Sequence, residues 1–357
     1  MIKIFNRFLV FVNITLVVLT IGAYIAPYFH PNDAGLLAIL GLGFPALLMA
    51  NITFILYWII VKIKYSLVSG LTLLIGFTPL LNIINLNTNT SFKKDTSVIS
   101  IANYNMQFLK PVQQKNDRFK TITEKDFLSH LEKFQHIDVL CLQEHSTYAQ
   151  KHIKKKLNFP YKFFSKGKFV AIYSKFPILD KGQLEKFSSN KANVCLWADI
   201  EVHGKKIRVY TAHFESNRKD GKIPTIIDTK TKEPPIDFSM AVGLLQHYQQ
   251  FTSKRVAQST RLQQLFKASP HPFIFCGDVN DTPQTHVYKL LKEGLKDTFW
   301  EKGIGLGATF GSTLKNKLAL LRIDYILTHP EFNILNHQIY PALFSDHYLI
   351  SSSIQLP

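Results

Sequence analysis

PFIFCGDVNDTP, Pro272–Pro283, is the stretch whose reading decides the fold. Three apolar residues and a cysteine make a buried strand. The strand runs into Gly277, then Asp278, Val279, Asn280 and Asp281, and stops at Thr282-Pro283. A buried strand with this ending puts polar side chains at the rim of a sheet, where ligands and reacting groups gather. The same pattern also makes an ordinary Asp/Asn turn. Partners elsewhere in the chain decide between the two.

The chain has 357 residues, 46% of them apolar, enough for a sizeable core and two regions. Residues 1–90 carry only Lys3, Arg7, Asp33, Lys62 and Lys64 as charges. Of 42 Lys+Arg and 25 Asp+Glu, that leaves 38 basic and 24 acidic residues for 91–357, a net +14. The charged part is basic in its own right, which favours an anionic partner: nucleic acid, phospholipid headgroups or a phosphorylated small molecule. Cys141, Cys195 and Cys276 each lie in an apolar, strand-like run. Their spacing matches no zinc or redox motif, so they read as small buried hydrophobes without disulfides.

Three runs hold no charge: 8–28, 36–61 and 66–86. Each reaches the ~20 residues that cross a bilayer as a helix. The expectation is a three-span transmembrane anchor over 1–90 and a catalytic domain over 91–357. Lys3 and Arg7 precede the first run, no Lys or Arg lies in 27–35, and Lys62 and Lys64 separate the second run from the third. The positive-inside rule then puts the N-terminus in the cytoplasm and the C-terminal domain on the outer face. Asn82–Thr96 reads as a polar linker.

Beyond it, Val98–Tyr104 alternates as a strand and ends at Asn105, and Ile137–Gln143 is a buried strand ending at Glu144. Lys168–Ser174 is a further strand. Val194–Val202 and Ile207–Ala212 form a hairpin that ends at His213. Thr123–Phe134 and Ser239–Ala268 have helical apolar spacing, and Val287–Glu293 is a short helix. Asn217–Phe238 reads as a mobile, substrate-selecting loop, and Gly303–Gly311 as a flexible glycine-rich segment. Leu320–Leu327 is a strand with Asp324 in its middle, and Ser345-Asp346-His347 leads into a last strand, Tyr348–Ile354. Strands joined by both hairpins and helices indicate an α/β sandwich with mixed sheets.

Polar residues thus recur where strands end: Asn105, Glu144, His213, Asp278, Asn280, Asp324, Asp346 and His347. Burying such groups unpaired costs several kcal/mol each. A hard divalent cation with oxygen ligands at ~2.1 Å would compensate the acids. The histidines would supply acid/base chemistry near neutral pH. From the residues alone the reading is metal-assisted hydrolysis.

The ordered segments ANYN ending at Asn105, DVLCLQE ending at Glu144, VAIYSKFPI at 170–178, YTAHFES around His213, CGDVNDTP, RIDYIL and SDH resemble the endonuclease/exonuclease/phosphatase superfamily over roughly 98–350. With the N-terminal anchor, the chain is similar to membrane-bound bacterial members. The resemblance implies a four-layer sandwich of two mixed sheets flanked by helices, in the bacterial inner membrane. It implies that Glu144 binds Mg²⁺ or Mn²⁺ with Asn105 beside it, and that Asp346 completes the metal shell. Asp278 and Asn280 would face the scissile phosphate, with Asp278 activating water. His347 would contact the phosphate or act as base, oriented by Asp324, and His213 would protonate the leaving oxygen. Some relatives carry an acid where this chain has Gln107, which argues against a second metal.

Arg255 and Arg261 read as a solvated helix face. Arg322 is equally suited to a phosphate or to a core acid, and His145 is incidental. The function expected is a membrane-anchored phosphodiesterase or nuclease. Its alternatives are phospholipase C-like or phosphatase activity on lipid headgroups, and a non-enzymatic binding protein on the same scaffold. The partners expected are a phosphate-containing substrate and the bilayer; no protein partner is inferred.

Overall fold

The computed structural model describes residues 2–87, 97–109, 112, 123–217, 238–311, 319–341 and 344–357. The expected loop at 217–238 lies almost wholly outside the described residues. The chain forms two compact units: residues 1–83 with 216–257 and 281–290, and residues 84–215 with 258–280 and 291–357.

The first unit is built on α1 (Ile2–Ile25), α2 (Gly35–Leu42), α3 (Phe44–Val61), α4 (Ser66–Ile75) and α5 (Phe77–Leu81). Two described helices are long and apolar enough to cross a membrane, Ile4–Tyr28 and Phe44–Val61, not the three expected. Proline explains the difference. Its missing N–H and its ring break the helix one turn upstream. Pro45 splits the second run at Gly43, and Pro79 splits the third at Gly76, leaving helices of 10 and 5 residues.

This helix group buries several polar side chains beside Phe44, Leu48 and Trp58 and leaves many large apolar ones exposed. Asn13 Nδ2 donates to Ser69 Oγ at 2.6 Å, and Trp58 Nε1 donates to Asn13 Oδ1 at 3.1 Å. Asn51 donates to Thr20 at 2.8 Å. Those groups are buried, whereas Phe11 is 68% and Ile60 85% exposed. Water would favour the reverse arrangement; hydrocarbon favours this one. α4 lies alongside α1, with Ser69 by Asn13 and Thr72 by Tyr24, so it returns the chain towards the end that bears Pro27–Gly35.

The second unit is a mixed α/β fold. Its strands are β1 (Ile84–Leu86), β2 (Val98–Asn105), β3 (Val139–Gln143), β4 (Tyr161–Phe164), β5 (Ala171–Ser174), β6 (Ile178–Gln183), β7 (Cys195–Val202), β8 (Lys205–His213), β9 (Phe273–Asp278), β10 (Lys296–Asp297), β11 (Ile304–Leu306), β12 (Asp324–Thr328), β13 (Asn333–Ile334), β14 (Gln338–Tyr340) and β15 (Leu349–Gln355). One sheet runs β13-β15-β2-β3-β5-β4 with β14 on β15; the other runs β10-β12-β9-β8-β7-β6. The pairs β2–β3 and β8–β9 are parallel, and the remaining neighbours are antiparallel.

Every residue of β2, β3, β5 and β9 is buried, which accounts for their unbroken apolar runs. Ile99, Ile101, Val139 and Ile172 of one sheet meet Leu196, Val209, Ile274 and Ile326 of the other in one core. The first sheet's outer face packs Tyr104, Leu140 and Leu142 against Phe127, Leu131 and Ile153 of helices Glu124–Glu132 and Thr147–Lys156. The former helix starts at a capping box, Thr123 with Asp126. The second sheet's outer face packs Tyr210 and Phe273 against Phe266 of the long helix Phe238–Lys267. All three cysteines are buried and free.

Three expectations change here. The strand around Asp324 begins at that residue rather than running through it. Gly303–Gly311 is built into the fold: it contains β11, and Thr309 is 1% exposed. The linker reading of Asn82–Thr96 gives way at Asn85, which is buried and donates to the carbonyls of Phe299 and Trp300 at 3.2 and 2.6 Å, while β1 pairs with β11.

Candidate active site

The C-terminal ends of the parallel strands bring the polar residues together. In register, Asn105 lies beside Gln143 and His213 beside Asp278, and antiparallel β12 sets Asp324 opposite Asp278. β15 is antiparallel to β2, so the residues just before it, Asp346 and His347, reach the same edge. One rim of the two facing sheets therefore collects all these residues.

Asp278 is 1% exposed and central. Its Oδ2 accepts from Asn105 Nδ2 at 2.8 Å and its Oδ1 from the backbone N–H of Asn280 at 2.9 Å. His213 Nε2 lies 3.6 Å and His347 Nε2 3.8 Å from Asp278 Oδ2. Burial raises the Asp278 carboxyl above the usual carboxylate range; Asp324 adds to this, while His347 and His213 oppose it. Asp324 Oδ2 accepts from His347 Nδ1 at 2.9 Å and from Thr309 Oγ1 at 2.7 Å. Burial pulls the His347 imidazole down, but Asp324, Asp278 and Asp346 outweigh it and push the group up to about 10.

Glu144 sits just past β3 with φ +45°, a left-handed conformation that non-glycine residues hold only when their surroundings impose it. Its carbonyl accepts from Phe108 N at 2.8 Å. Its side chain is 20% exposed, 3.9 Å from His213 Nε2 and 3.5 Å from Asn105 Nδ2. Asn280 also has positive φ, 55°, and its Nδ2 donates to the Phe214 carbonyl at 3.2 Å, so here it holds the turn. Asp346 Oδ2 accepts from Gln107 Nε2 at 2.9 Å, and Asp346 Oδ1 is 3.9 Å from His347 Nε2.

The group of buried donor atoms lying within 4.8 Å of one another is Asp278, Asp324 and His347. That differs from the Asn105, Glu144 and Asp346 set expected to hold a metal. The oxygen-rich rim suits a hard cation in two respects. Glu144 is partly exposed with only long contacts to Asn105 and His213, and Asp324 Oδ1 is buried with no hydrogen-bond partner among the described residues.

A cavity of about 660 Å³ is lined in part by Lys166, Phe169, Lys186, Lys191 and Asn193, two of which bond the backbone at or next to rim residues. Asn193 Nδ2 donates to the His213 carbonyl at 3.4 Å, and the Phe169 carbonyl accepts from the N–H of His145, next to Glu144, at 2.9 Å. The three lysines are exposed and Phe169 is half-buried.

Other readings resolve differently from expectation. Arg255 is fully buried and pairs with Asp281 at 3.1 Å, against the solvated face expected of it, whereas Arg261 is exposed. Arg322 pairs with the core acid Asp297 at 2.8 Å. His145 is structural, between the Lys168 carbonyl and Tyr173 OH, and burial pushes it down to about 4. The sequence reading missed Thr309 and Ser345. Ser345 Oγ donates to the Asn105 carbonyl at 2.7 Å and accepts from His347 N at 3.1 Å. The serine stood inside the SDH motif, and the threonine inside a glycine-rich stretch that read as flexible.

Solved structures share the fold. An endonuclease/exonuclease/phosphatase family protein from Bacteroides thetaiotaomicron aligns with TM-score 0.52 at 16% identity, covering 74% of this chain and 100% of its own. TDP2 from D. rerio, complexed with single-strand DNA product, aligns at 0.53 and 19% identity, covering 72% and 99%. A mannosyl-6-phosphatase from Bacteroides thetaiotaomicron aligns at 0.50 and 17%, covering 72% and 99%. No curated protein matches. Residues 6–83 match a family described as a domain of unknown function (DUF8431). The Endonuclease/Exonuclease/phosphatase family model matches residues 102–347, more than half of the chain and the whole of the polar rim, and the chain therefore belongs to that family.

Proposed function

We propose that the protein is a divalent-metal-dependent phosphodiesterase, anchored in a membrane by residues 1–90 with the catalytic domain over 91–357, and that nucleic acid is its substrate class. The observation that carries the reaction class is the His347–Asp324 pair facing Asp278, with His213 near the same carboxylate oxygen. Glu144 and Asn105 would hold Mg²⁺ or Mn²⁺, with Asp346 completing the shell. A bound cation supplies a Lewis acid that offsets phosphate charge.

The chain's own groups divide the rest of the work. Asp278 is fixed by Asn105 and Asn280 N–H, and its raised affinity for protons suits it to take one from the attacking water. His347 is oriented by the bond from its Nδ1 to Asp324, which leaves Nε2 free to contact the phosphate or to act as base. His213 is positioned to protonate the leaving oxygen. Asn280 would meet the phosphate on rotating away from the Phe214 carbonyl.

The choice of nucleic acid is supported by the lysine-lined cavity and by Phe169 within it, since cations track phosphates and aromatic faces stack on bases. Membrane anchoring is supported by the buried polar and exposed apolar side chains of the helices and by the basic residues flanking the first and second runs. The outer face of a bacterial inner membrane is the side we infer for the catalytic domain, from the basic residues before the first run and between the second and third.

The test is a panel of bis(p-nitrophenyl) phosphate, single- and double-stranded oligonucleotides, phospholipid vesicles and phosphomonoesters. It uses membranes and detergent-solubilised full-length protein, with Mg²⁺ or Mn²⁺ and with EDTA. Oligonucleotide cleavage that sediments with membranes, stops with EDTA and falls by about a hundredfold or more in Glu144→Ala is expected. Cleavage of the vesicles or monoesters alone would move the substrate to lipid headgroups or a phosphorylated small molecule. No hydrolysis of any of them would overturn the enzymatic reading.

A further inference from the structure

Residues 281–290 continue the chain from Asp278 and Asn280, yet they fold in the compact unit that contains residues 1–83. The contacts inside that unit have a specific cause. In an α-helix the carbonyl of residue i accepts from the N–H of residue i+4. For Ala23 that residue is Pro27, and for Gly41 it is Pro45; neither has an N–H to give. The segment that follows the catalytic turn donates to both carbonyls, that of Gly41 also accepting from the N–H of Gly43. Gln284 Nε2 donates to the Ala23 carbonyl at 3.1 Å and to that of Tyr24 at 3.3 Å. Thr282 Oγ1 donates to the Gly41 carbonyl at 3.2 Å. His286 Nδ1 donates to the Pro27 carbonyl at 2.8 Å.

Thr282 and Gln284 are 1% and 5% exposed, so these bonds have no water to replace them. Just before them Asp281 is fixed as well, accepting from Tyr248 OH and Arg255 Nε, each at 3.1 Å. The approach is close: a Cβ on Gly41 would lie 2.1 Å from the Gln284 carbonyl oxygen.

From this we propose that the N-terminal helices are a positioning element of the active site: the carbonyls of Ala23, Tyr24, Pro27 and Gly41 hold Thr282, Gln284 and His286 and so set the course of the turn that carries Asp278 and Asn280. The buried Gln284 amide depends on these acceptors, because a polar group buried without a partner is costly. The turn needs such a hold because Asn280 sits at φ +55°. Catalytic geometry is sensitive on this scale, since a displacement of about 1 Å can cost about a hundredfold in rate. The inference rests on the catalytic reading of Asp278 and Asn280, and Gly41, Thr282 and Gln284 act only through them.

The experiment compares full-length wild-type protein, Gly41→Ala, Thr282→Val and Gly70→Ala in detergent. It measures kcat and KM on bis(p-nitrophenyl) phosphate with Mg²⁺, and amide hydrogen exchange over 279–288. Gly70 serves as the control, because a Cβ there meets nothing within 4 Å. Gly41→Ala is expected to lower kcat about tenfold or more with KM changed less than about threefold, and to speed exchange over 279–288 about tenfold. Thr282→Val removes one hydroxyl at constant volume and should move both readouts in the same direction by about threefold. Gly70→Ala should move neither. Unchanged exchange in both Gly41→Ala and Thr282→Val would overturn the grip. Faster exchange with unchanged kcat would overturn its bearing on the turn. If the wild-type protein hydrolyses no phosphoester, the catalytic reading has failed, and the exchange comparison still decides the grip.

Discussion

Asp278 and His347 show how single residues here depend on second groups that were not legible in the sequence. Asp324 was placed as the orienting carboxylate, but Thr309, which holds Asp324 through its hydroxyl and accepts from the N–H groups of Ile323 and Asp324 at 3.2 Å each, was not. Thr309→Val keeps the shape and removes the hydroxyl. A hydrogen bond to a charged group is worth about 1.5 kcal/mol, so kcat should fall about tenfold with KM nearly unchanged, and Thr309→Ser should restore it. Steady-state kinetics on bis(p-nitrophenyl) phosphate check this. A Thr309→Val enzyme with wild-type kcat would show that His347 holds Asp324 unaided.

At the scale of elements, helix Phe238–Lys267 was legible from its apolar period, but the fate of its polar residues was not. Arg255 and Arg261 are alike in sequence, and one is fully buried while the other is exposed. Burial follows from which turn of the helix meets Asp281, and that is a tertiary matter. Arg255→Met leaves a buried carboxylate without its cation and should cost about 3–5 kcal/mol. Arg261→Ala should stay within about 0.5 kcal/mol. Thermal unfolding midpoints of the two variants in detergent distinguish them; equal midpoints would contradict the buried pair. The short edge strands β4, β6, β10, β13 and β14 escaped the sequence reading for a related reason. They are partly exposed, and all but β6 are at most four residues long, so they lack the apolar runs that marked β2, β3 and β9.

For the whole molecule, stability should depend on pH through buried neutral histidines. His337 accepts from Thr298 Oγ1 or donates to it at 2.8 Å, and burial pushes its pKa down to about 3. A histidine whose folded pKa lies below the unfolded 6.5 contributes stability that is complete above pH 6.5 and is lost as pH falls towards the folded value. Between pH 6.5 and 4.5 the loss amounts to up to about 2.7 kcal/mol, at 1.36 kcal/mol per unit. Unfolding midpoints should fall over that window, and His337→Gln, although less stable at pH 7, should show a shallower fall. Parallel curves would mean that His337 is not the group responsible.

The sequence by itself determined the family, the strands of the two sheets' centres, and the residues at their ends, because buried strands need continuous apolar runs and polar residues at such ends stand out against them. It also determined that residues 8–86 are apolar enough for hydrocarbon. Tertiary structure alone decided which helices stay whole, where Arg255 and Arg322 point, and how Thr309 and Ser345 serve the rim. It also decided what becomes of the CGDVNDTP stretch. Its first half ends a strand at the polar rim, and its second half donates to carbonyls at the ends of two N-terminal helices. Spacing along the chain carries no distance between such groups; only the fold brings these donors and acceptors together.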